Sequence, residues 1–413
     1  MTAVTAGART APSGLYVHIP FCVSLCPYCD FVVYAGSAAR GSKNRIEAFL
    51  AALHVELDLR ADALDAAFGR KRPPLDTLYL GGGTPSMLPT EELVDLIEHV
   101  RARFGLAKKA EITVEANPGP DERGDASALV AAGVTRLSIG AQSMADATLT
   151  RLGRRHRARH VAQAVGAARE AGIPSISLDL LYDVPGGSLD GWMTTLDAAL
   201  ELAPDHLSLY ALTLDDPFAE GLTDDATGDH LPTTAGARRW REIAKPLQDE
   251  DRAAAEYHHA VHRLAADDWH GYEISNWSRP GHESRHNLAY WERRPYEAIG
   301  PGAHAFDGVS RRWNAARLDG YLGALTPVDG SRPSLPPGGS EDLDDTTAAA
   351  ERVILGLRTD RGVPVAAAHE PPLDDSFGWA ISAELVDVTE DDRIVLTTRG
   401  RLLSNELFSR LVG

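Results

Sequence analysis

Tyr16-Val-His-Ile-Pro-Phe-Cys22-Val-Ser-Leu-Cys26-Pro-Tyr-Cys29-Asp-Phe31 contains all three cysteines of a chain of 413 residues. Thiolates are soft metal ligands, and three in one loop indicate an iron–sulfur cluster or zinc. Structural zinc usually takes four ligands as two separated pairs, and this sequence has no second pair. Three thiolates on a four-iron cluster would leave one iron open to a small molecule. Two alternatives remain, which are zinc completed by His18 or Asp30 and three buried thiols without a metal.

Length and composition describe a soluble globular chain with room for two or three domains. Lys and Arg number 41 and Asp and Glu 59, so the net charge of -18 argues against a general nucleic-acid-binding protein. Residues 1–14 lack the apolar segment of a secretory signal, and no run approaches the ~18 apolar residues of a membrane span. Because a thiolate loop requires reducing conditions, we predict a cytoplasmic protein, with any membrane association made through a partner.

Apolar periodicity predicts an α/β fold in which strands and helices alternate. The predicted strands lie at 75–80, 111–116, 136–140, 173–181 and 206–212, and the predicted helices at 43–68, 90–104, 126–132, 160–171 and 192–202. This order predicts parallel strands that form either a barrel or an open doubly wound sheet. In both architectures ligands bind beyond the carboxyl ends of the strands.

The pattern changes after residue 212, which suggests several further regions. We assign 1–14 to a flexible N-terminus, 15–235 to the barrel and 236–325 to a connecting region rich in helices, aromatics and histidines. Residues 326–345 are rich in Pro, Gly, Ser and Asp, which is typical of a linker. Residues 346–413 end in a strand, a turn and an amphipathic helix, and this order suggests a small winged-helix-like module.

Gly81-Gly82-Gly83-Thr84-Pro85 directly follows a predicted strand. Glycines at this place let backbone N–H groups approach a ligand closely. The run lacks the Lys-Ser/Thr pair of a phosphate loop and the third glycine of the dinucleotide fingerprint. A plain tight turn explains the run equally well.

Polar residues stand near the ends of three later strands, namely Glu115, Gln142 and Asp179. Each could hydrogen-bond a ribose or an amino group, although a helix cap or loop contact explains each one more simply. The basic run at 151–160 is typical of a solvated face. Histidines and aromatics at 286–291 and 300–304 could contact a haem, but a hydrogen-bonded core histidine is the simpler interpretation.

Eight short motifs along the chain occur together, and in this order, in one known family. They are Tyr16-Val-His-Ile-Pro-Phe-Cys, Cys-Pro-Tyr-Cys-Asp-Phe, Tyr-Leu-Gly-Gly-Gly-Thr-Pro-Ser, Glu-Ala-Asn-Pro, Gly-Ala-Gln-Ser, Asp-Leu-Leu-Tyr-Asp-Val-Pro-Gly, Tyr-Glu-Ile-Ser-Asn-Trp and His-Asn-Leu-Ala-Tyr-Trp. From Tyr16 to the last helix, the sequence resembles the HemW family of haem chaperones. These are radical SAM (S-adenosylmethionine) proteins long described as similar to coproporphyrinogen III dehydrogenase.

The resemblance implies a partial (β/α)6 TIM-like barrel with a smaller C-terminal domain. It also implies that Cys22, Cys26 and Cys29 bind a 4Fe-4S cluster whose open iron chelates SAM. An electron donor would then permit cleavage of SAM to a 5′-deoxyadenosyl radical. The residues placed around SAM by the resemblance are Tyr16, Tyr28, Gly82, Gly83, Thr84, Glu115, Gln142, Arg154 and Asp179.

The resemblance favours binding of haem and its delivery to acceptor proteins over porphyrinogen decarboxylation. The related decarboxylase has a further cysteine two residues after the third ligand, where this chain has Phe31, and a longer stretch ahead of its cysteine loop. In HemW-like proteins the His-Asn-x-x-Tyr-Trp motif is associated with haem binding. The predicted haem contact is therefore His286, with His304 as a second candidate. Coproporphyrinogen III dehydrogenase and a zinc-stabilised barrel remain the alternatives.

Overall fold

The computed structural model describes residues 9–36, 45–214, 231, 234–327 and 330–412. Most of the predicted N-terminal segment and the acidic residues at 215–230 and 232–233 lie outside these ranges. No helix in the described part of the chain is long and apolar enough to cross a membrane.

The strands of the described residues form three sheets. Their bounds are β1 (Gly14–Ile19), β2 (Phe21–Cys22), β3 (Tyr34–Ala35), β4 (Leu75–Gly82), β5 (Leu106–Ala116), β6 (Arg136–Gln142), β7 (Ser175–Tyr182), β8 (His206–Ala211), β9 (His270–Gly271), β10 (Asn276–Ser278), β11 (Tyr296–Ile299), β12 (His304–Phe306), β13 (Ser310–Asn314), β14 (Gly338–Asp342), β15 (Val363–Pro364), β16 (Val386–Val388) and β17 (Arg393–Leu396). The main sheet has the order β14-β13-β12-β11-β1-β4-β5-β6-β7-β8-β10-β9.

Helices separate most of these strands. Their bounds are α1 (Arg45–Phe68), α2 (Thr90–Phe104), α3 (Ala126–Ala131), α4 (Asp146–Arg151), α5 (Ala158–Ala171), α6 (Leu189–Leu200), α7 (Ala235–Ala244), α8 (Glu250–Ala265), α9 (Arg285–Trp291), α10 (Leu318–Leu325), α11 (Asp345–Leu357), α12 (Asp374–Ser382), α13 (Thr398–Leu402) and α14 (Ser404–Leu411). Helix α3 begins at a side-chain cap, since the Asp125 carboxylate accepts from the backbone N–H of Ser127.

The predicted α/β fold is confirmed, with a partial barrel of six parallel strands. Strands β1, β4, β5, β6, β7 and β8 pair in this order, each parallel to the next. The barrel stays open, because β1 pairs on its other side with β11 and β8 with β10. All six carboxyl ends therefore meet at one edge, where the cysteine loop follows β1.

Each barrel strand presents apolar residues to the helices and polar residues to the interior. On β6, for example, Leu137 and Ile139 are buried in the main core, whereas Arg136 and Ser138 line an internal cavity. Barrels of this class are usually filled by branched apolar side chains. A polar interior can be stable only if its groups are hydrogen-bonded, so this lumen suits a ligand better than a packed core.

Beyond the barrel, β11 to β14 extend the same sheet past β1. Strands β12, β13 and β14 are each antiparallel to the strand before them. Residues 326–345, expected to be a linker, thus include strand β14. The glycines there permit close packing rather than flexibility, because a Cβ on Gly338 would lie 1.8 Å from the Trp313 carbonyl oxygen and one on Gly339 2.4 Å from the Trp313 ring.

The C-terminal residues form a small module with a core of its own. Its antiparallel sheet has the order β15-β17-β16 and packs with α11, α12 and α14. Leu373, Ile394 and Leu407 are completely buried in its core. Helices and short strands in this order resemble the predicted winged-helix-like module.

A buried carboxylate ties the barrel to the sheet extension. Glu56 on α1 is completely buried, and its oxygens accept from the backbone N–H of Gly300 at 2.9 Å, Asn314 Nδ2 at 2.7 Å and the Tyr321 hydroxyl at 2.7 Å. Arg60 also donates to Glu56, at 3.3 Å. One side chain therefore fixes three segments relative to the start of the barrel.

We expect Glu56→Ala to lower the free energy of unfolding by about 3–5 kcal/mol, since it leaves buried donors and the Arg60 charge without their acceptor. Urea denaturation measures this change. The control is Glu98→Ala, which removes an exposed pair with Arg101 and should cost less than about 1 kcal/mol. Equal costs for the two variants would contradict the role assigned to Glu56.

Candidate functional site

The cysteine loop lies over the carboxyl ends of the barrel strands. Cys22 ends β2, which pairs with β3, and a backbone hydrogen bond of 3.1 Å from Cys29 N to Cys26 O closes the turn. All three thiols are partly exposed and line one cavity of about 400 Å³. One short loop thus presents three soft ligands to a space large enough for a small-molecule ligand.

Hydrogen-bond donors point at two of these sulfur atoms. The Thr84 hydroxyl lies 3.5 Å from Cys22 Sγ, and Arg154 Nη1 lies 3.2 Å from Cys26 Sγ. Burial raises the pKa of Cys22 to about 11 and that of Cys29 to about 12. These thiols are therefore protonated at neutral pH unless a metal supplies the positive charge that favours thiolates. Donors aimed at sulfur fit an iron–sulfur cluster, whose potential such bonds tune.

Both side chains considered as further zinc ligands already have partners. His18 Nε2 donates to the Val32 carbonyl at 2.8 Å, so Nδ1 accepts from the Tyr16 hydroxyl at 2.9 Å. Burial lowers the pKa of His18 to about 4, which keeps the ring neutral. Asp30 forms an ion pair with Arg241. In the described part of the chain, no three His, Cys, Asp or Glu side chains converge closely enough to ligate one metal ion.

The end of β4 packs tightly against the start of the cysteine loop. Gly82 has a φ of +108°, and a Cβ there would lie 2.5 Å from the His18 ring. A Cβ on Gly83 would lie 2.5 Å from the Phe21 carbonyl oxygen. Only glycine satisfies both the conformation and the close approach, so this run is more than a plain turn.

Glu115 lines the cavity from β5. It accepts from the Tyr79 hydroxyl at 2.8 Å and from the backbone N–H of Gly82 at 2.9 Å. Burial raises its pKa to about 7, and the nearby Asp179 carboxylate adds to this effect. A ligand with a positive amino group would favour the charged carboxylate.

Asp179 faces the same cavity from β7. Both of its oxygens accept from the Ser138 hydroxyl at 3.1 Å, and the Ser177 hydroxyl lies 3.4 Å from Oδ1. Burial raises its pKa, whereas these hydroxyls act in the opposite direction. The group is a buried acceptor suited to ligand hydroxyls.

Arg154 and Asn117 connect the strand ends to the cysteine loop. Arg154 Nη2 donates to Asn117 Oδ1 and, at 3.2 Å, to the Gly140 carbonyl, while Asn117 Nδ2 donates to the Thr84 hydroxyl at 3.0 Å. Arg154 Nε is buried without a hydrogen-bond partner among the described residues. The basic run alone suggested that Arg154 lies on a solvated face, but the structure shows that it lines the cavity. Asn117 was not predicted, although its position two residues after Glu115 could have indicated it.

The cavity gathers most of the residues expected around SAM. Gln142, the last residue of β6, has a φ of +63° and lines the cavity. The residues expected around SAM that line it are Tyr28, Gly82, Gly83, Thr84, Glu115, Gln142, Arg154 and Asp179. Tyr16 instead lines a second cavity of about 220 Å³, together with His304 and Tyr296.

The structure places His286 behind the cavity wall. Its Nδ1 lies 2.8 Å from the Thr77 hydroxyl and its Nε2 2.8 Å from the Tyr290 hydroxyl, and its ring stacks on Tyr79. Burial lowers its pKa to about 3, so the ring is neutral. Ligation of iron would require one of these hydrogen bonds to break. Asn287, the next residue of the motif, lines the main cavity.

Known proteins are similar to this chain over nearly its whole length. The radical SAM superfamily profile matches residues 16–199. "Heme chaperone HemW" of Mycobacterium tuberculosis is 38% identical over 405 residues, covering 97% of this chain and 95% of its own. The Bacillus subtilis protein of the same name is 30% identical and covers 96% and 98%. The solved structure of coproporphyrinogen III oxidase (HemN) from Escherichia coli matches with a TM-score of 0.75 at 24% identity, covering 97% of this chain and 90% of its own.

We expect the stability of the wild type, relative to Glu115→Gln, to fall as pH rises from about 4.5 to 7. The Glu115 carboxyl has a higher pKa in the folded protein than in the unfolded chain. Its stabilising contribution is therefore fully present at a pH below the pKa of the unfolded chain, and it is lost as the pH rises through the pKa of the folded protein. The difference in unfolding free energy between the two proteins should change by up to about 3 kcal/mol. Denaturation at several pH values measures it, and a difference that does not vary with pH would contradict the assignment.

Proposed function

Because the chain belongs to the HemW family of radical SAM heme chaperones, we propose that it binds a SAM-coordinating 4Fe-4S cluster and haem and delivers haem to acceptor proteins. The observation that carries this proposal is the cavity in which Cys22, Cys26 and Cys29 face Glu115 and Arg154. The thiols that would bind a cluster and the groups that would hydrogen-bond a polar small molecule line the same cavity.

The cysteines would hold the cluster, and the remaining residues would orient SAM beside it. When bound, the cluster supplies an open iron and one-electron chemistry, for which an electron donor is required. Glu115 would accept from the amino group of SAM, since its pKa near 7 permits the charged form beside a cation. Asp179 would accept from ribose hydroxyls, and the backbone at Gly82 and Gly83 permits close approach.

Exposed apolar side chains at the mouth of the cavity support the haem part of the proposal. Phe31 is 67% exposed and Tyr210 42% exposed, and both line the cavity. Exposed aromatic faces beside a polar site are suited to packing on a flat macrocycle. Phe31 also stands where the related decarboxylase would carry another cysteine, which favours a haem carrier over that enzyme.

We expect anaerobically purified protein to contain about four irons and four sulfides per chain. Cys26→Ser should lose most of both, because two thiolates hold a cluster poorly, whereas Ser24→Ala, in the same loop, should retain them. Iron, sulfide and zinc analysis with the visible spectrum measures this. Stoichiometric zinc without sulfide would instead support the zinc-stabilised barrel.

Haem titration followed by Soret absorbance tests the predicted contact. If His286 binds iron after releasing Tyr290, then His286→Ala should weaken haem binding at least about tenfold. Tyr290→Phe should bind haem at least as well as the wild type, because removing the hydroxyl frees His286 Nε2. Equal affinity of the wild type and His286→Ala would exclude His286, and the same titration of His304→Ala tests the second candidate.

The alternative activity predicts a different product. Incubated without oxygen with SAM, a reductant and coproporphyrinogen III, a decarboxylase would release decarboxylated porphyrinogen. We expect no such product from protein that contains an intact cluster. Turnover under these conditions would replace the haem-chaperone proposal with the coproporphyrinogen III dehydrogenase alternative.

A further inference from the structure

A buried arginine lines the barrel cavity on the amino-terminal side of the residues expected around SAM. Arg136 is the first residue of β6 and is only 3% exposed, yet it lines the cavity. It lies one inward-facing position below Ser138, a step of about 7 Å along the strand. Ser284 and Asn287 line the cavity from the segment that begins α9.

The guanidinium of Arg136 is held in place by hydrogen bonds but has no direct ion-pair partner among the described residues. Its Nη1 donates to the His282 carbonyl at 2.8 Å and to the Ser175 hydroxyl at 3.1 Å. Among the described residues, its Nη2 is buried without a hydrogen-bond partner, and Arg136 takes part in no ion pair. Arginine stays charged even when buried, and the Asp179 carboxylate interacts with this charge without forming an ion pair, so no anion among the described residues is in direct contact with Arg136.

Nearby carboxylates are already engaged by other donors. Asp179 accepts from the hydroxyls of Ser138 and Ser177. Glu111 accepts from the backbone N–H groups of Arg285 and His286 at 3.1 Å and 3.0 Å, at the beginning of α9. An anionic ligand that enters the cavity would therefore provide Arg136 with a direct ion-pair partner.

We propose that the base of the barrel is a carboxylate subsite that takes one propionate arm of a porphyrin. This inference rests on the proposed haem-binding function and names the residue that would hold one propionate of the haem. Arg136 Nη2 would donate to a propionate oxygen, and the side chains of Ser284 and Asn287 would donate beside it.

The shape and chemistry of the cavity favour an acid attached to a flat apolar body. Between the mouth and the base, the ligand passes Leu181 and Tyr79, which offer an aliphatic and an aromatic surface. At the mouth, Leu25 and Phe31 expose apolar side chains. A porphyrin combines such a body with carboxylate arms, whereas a small free acid would leave these surfaces uncovered.

The experiment compares haem with haem dimethyl ester, in which both propionates are neutral, by Soret titration of the full-length protein in one detergent. The wild type should bind haem about tenfold or more tightly than the ester. Arg136→Gln should lose this preference by binding haem more weakly while its affinity for the ester is unchanged. Arg159→Gln, which removes an exposed charge on α5, should behave as the wild type.

Three results would overturn the subsite. One is equal binding of haem and its ester by the wild type, which requires no variant to fold. Another is an unchanged preference in Arg136→Gln whose melting temperature is normal. The third is that succinate raises the melting temperature of the wild type but not of Arg136→Gln, while the substitution leaves the affinity for haem unchanged. The site would then bind a free acid and not a porphyrin. Absence of any haem binding by the wild type would instead refute the proposed function itself.

Discussion

The close packing of the β4 end against the start of the cysteine loop is the constraint on which the site depends. Gly82 approaches the His18 ring and Gly83 approaches the backbone of Phe21, so neither position has room for a side chain. His18 in turn bonds Val32 beyond the last cysteine. The loop that carries three thiols is therefore fixed above the carboxyl edge of the barrel, beside Glu115 and Arg154.

A polar barrel interior is the second condition for function. Burial raises the pKa values of Glu115 and Asp179, and hydroxyl and backbone donors hold both groups. The two carboxyl groups thus have the hydrogen-bond partners that burial requires. In contrast, Arg154 and Arg136 each have one nitrogen atom without a hydrogen-bond partner among the described residues. Preorganised polar groups of this kind bind ligands with little rearrangement, which suits a cofactor site that must also admit a second molecule.

Much of the fold and of the upper site could be predicted from the sequence. Alternating apolar segments indicated five of the six barrel strands, all except β1, and the strand ends located Glu115 and Asp179. The sequence could not show that Gly338 and Gly339 belong to a strand, because contact with Trp313 across the chain decides it. Arg136 begins a strand instead of ending one, so the rule that locates sites at carboxyl ends overlooks it. The environment of His286 likewise depends on side chains distant in sequence.

The electron paramagnetic resonance spectrum of the reduced, cluster-containing protein tests the central claim most directly. If an iron without a protein ligand faces the groups on β4, β5 and β7, adding SAM must change the signal of the reduced cluster, because SAM coordinates that iron. The account predicts a shifted spectrum in the wild type and a much smaller change at the same SAM concentration in Glu115→Gln. A spectrum of the wild type that is identical with and without saturating SAM would contradict it.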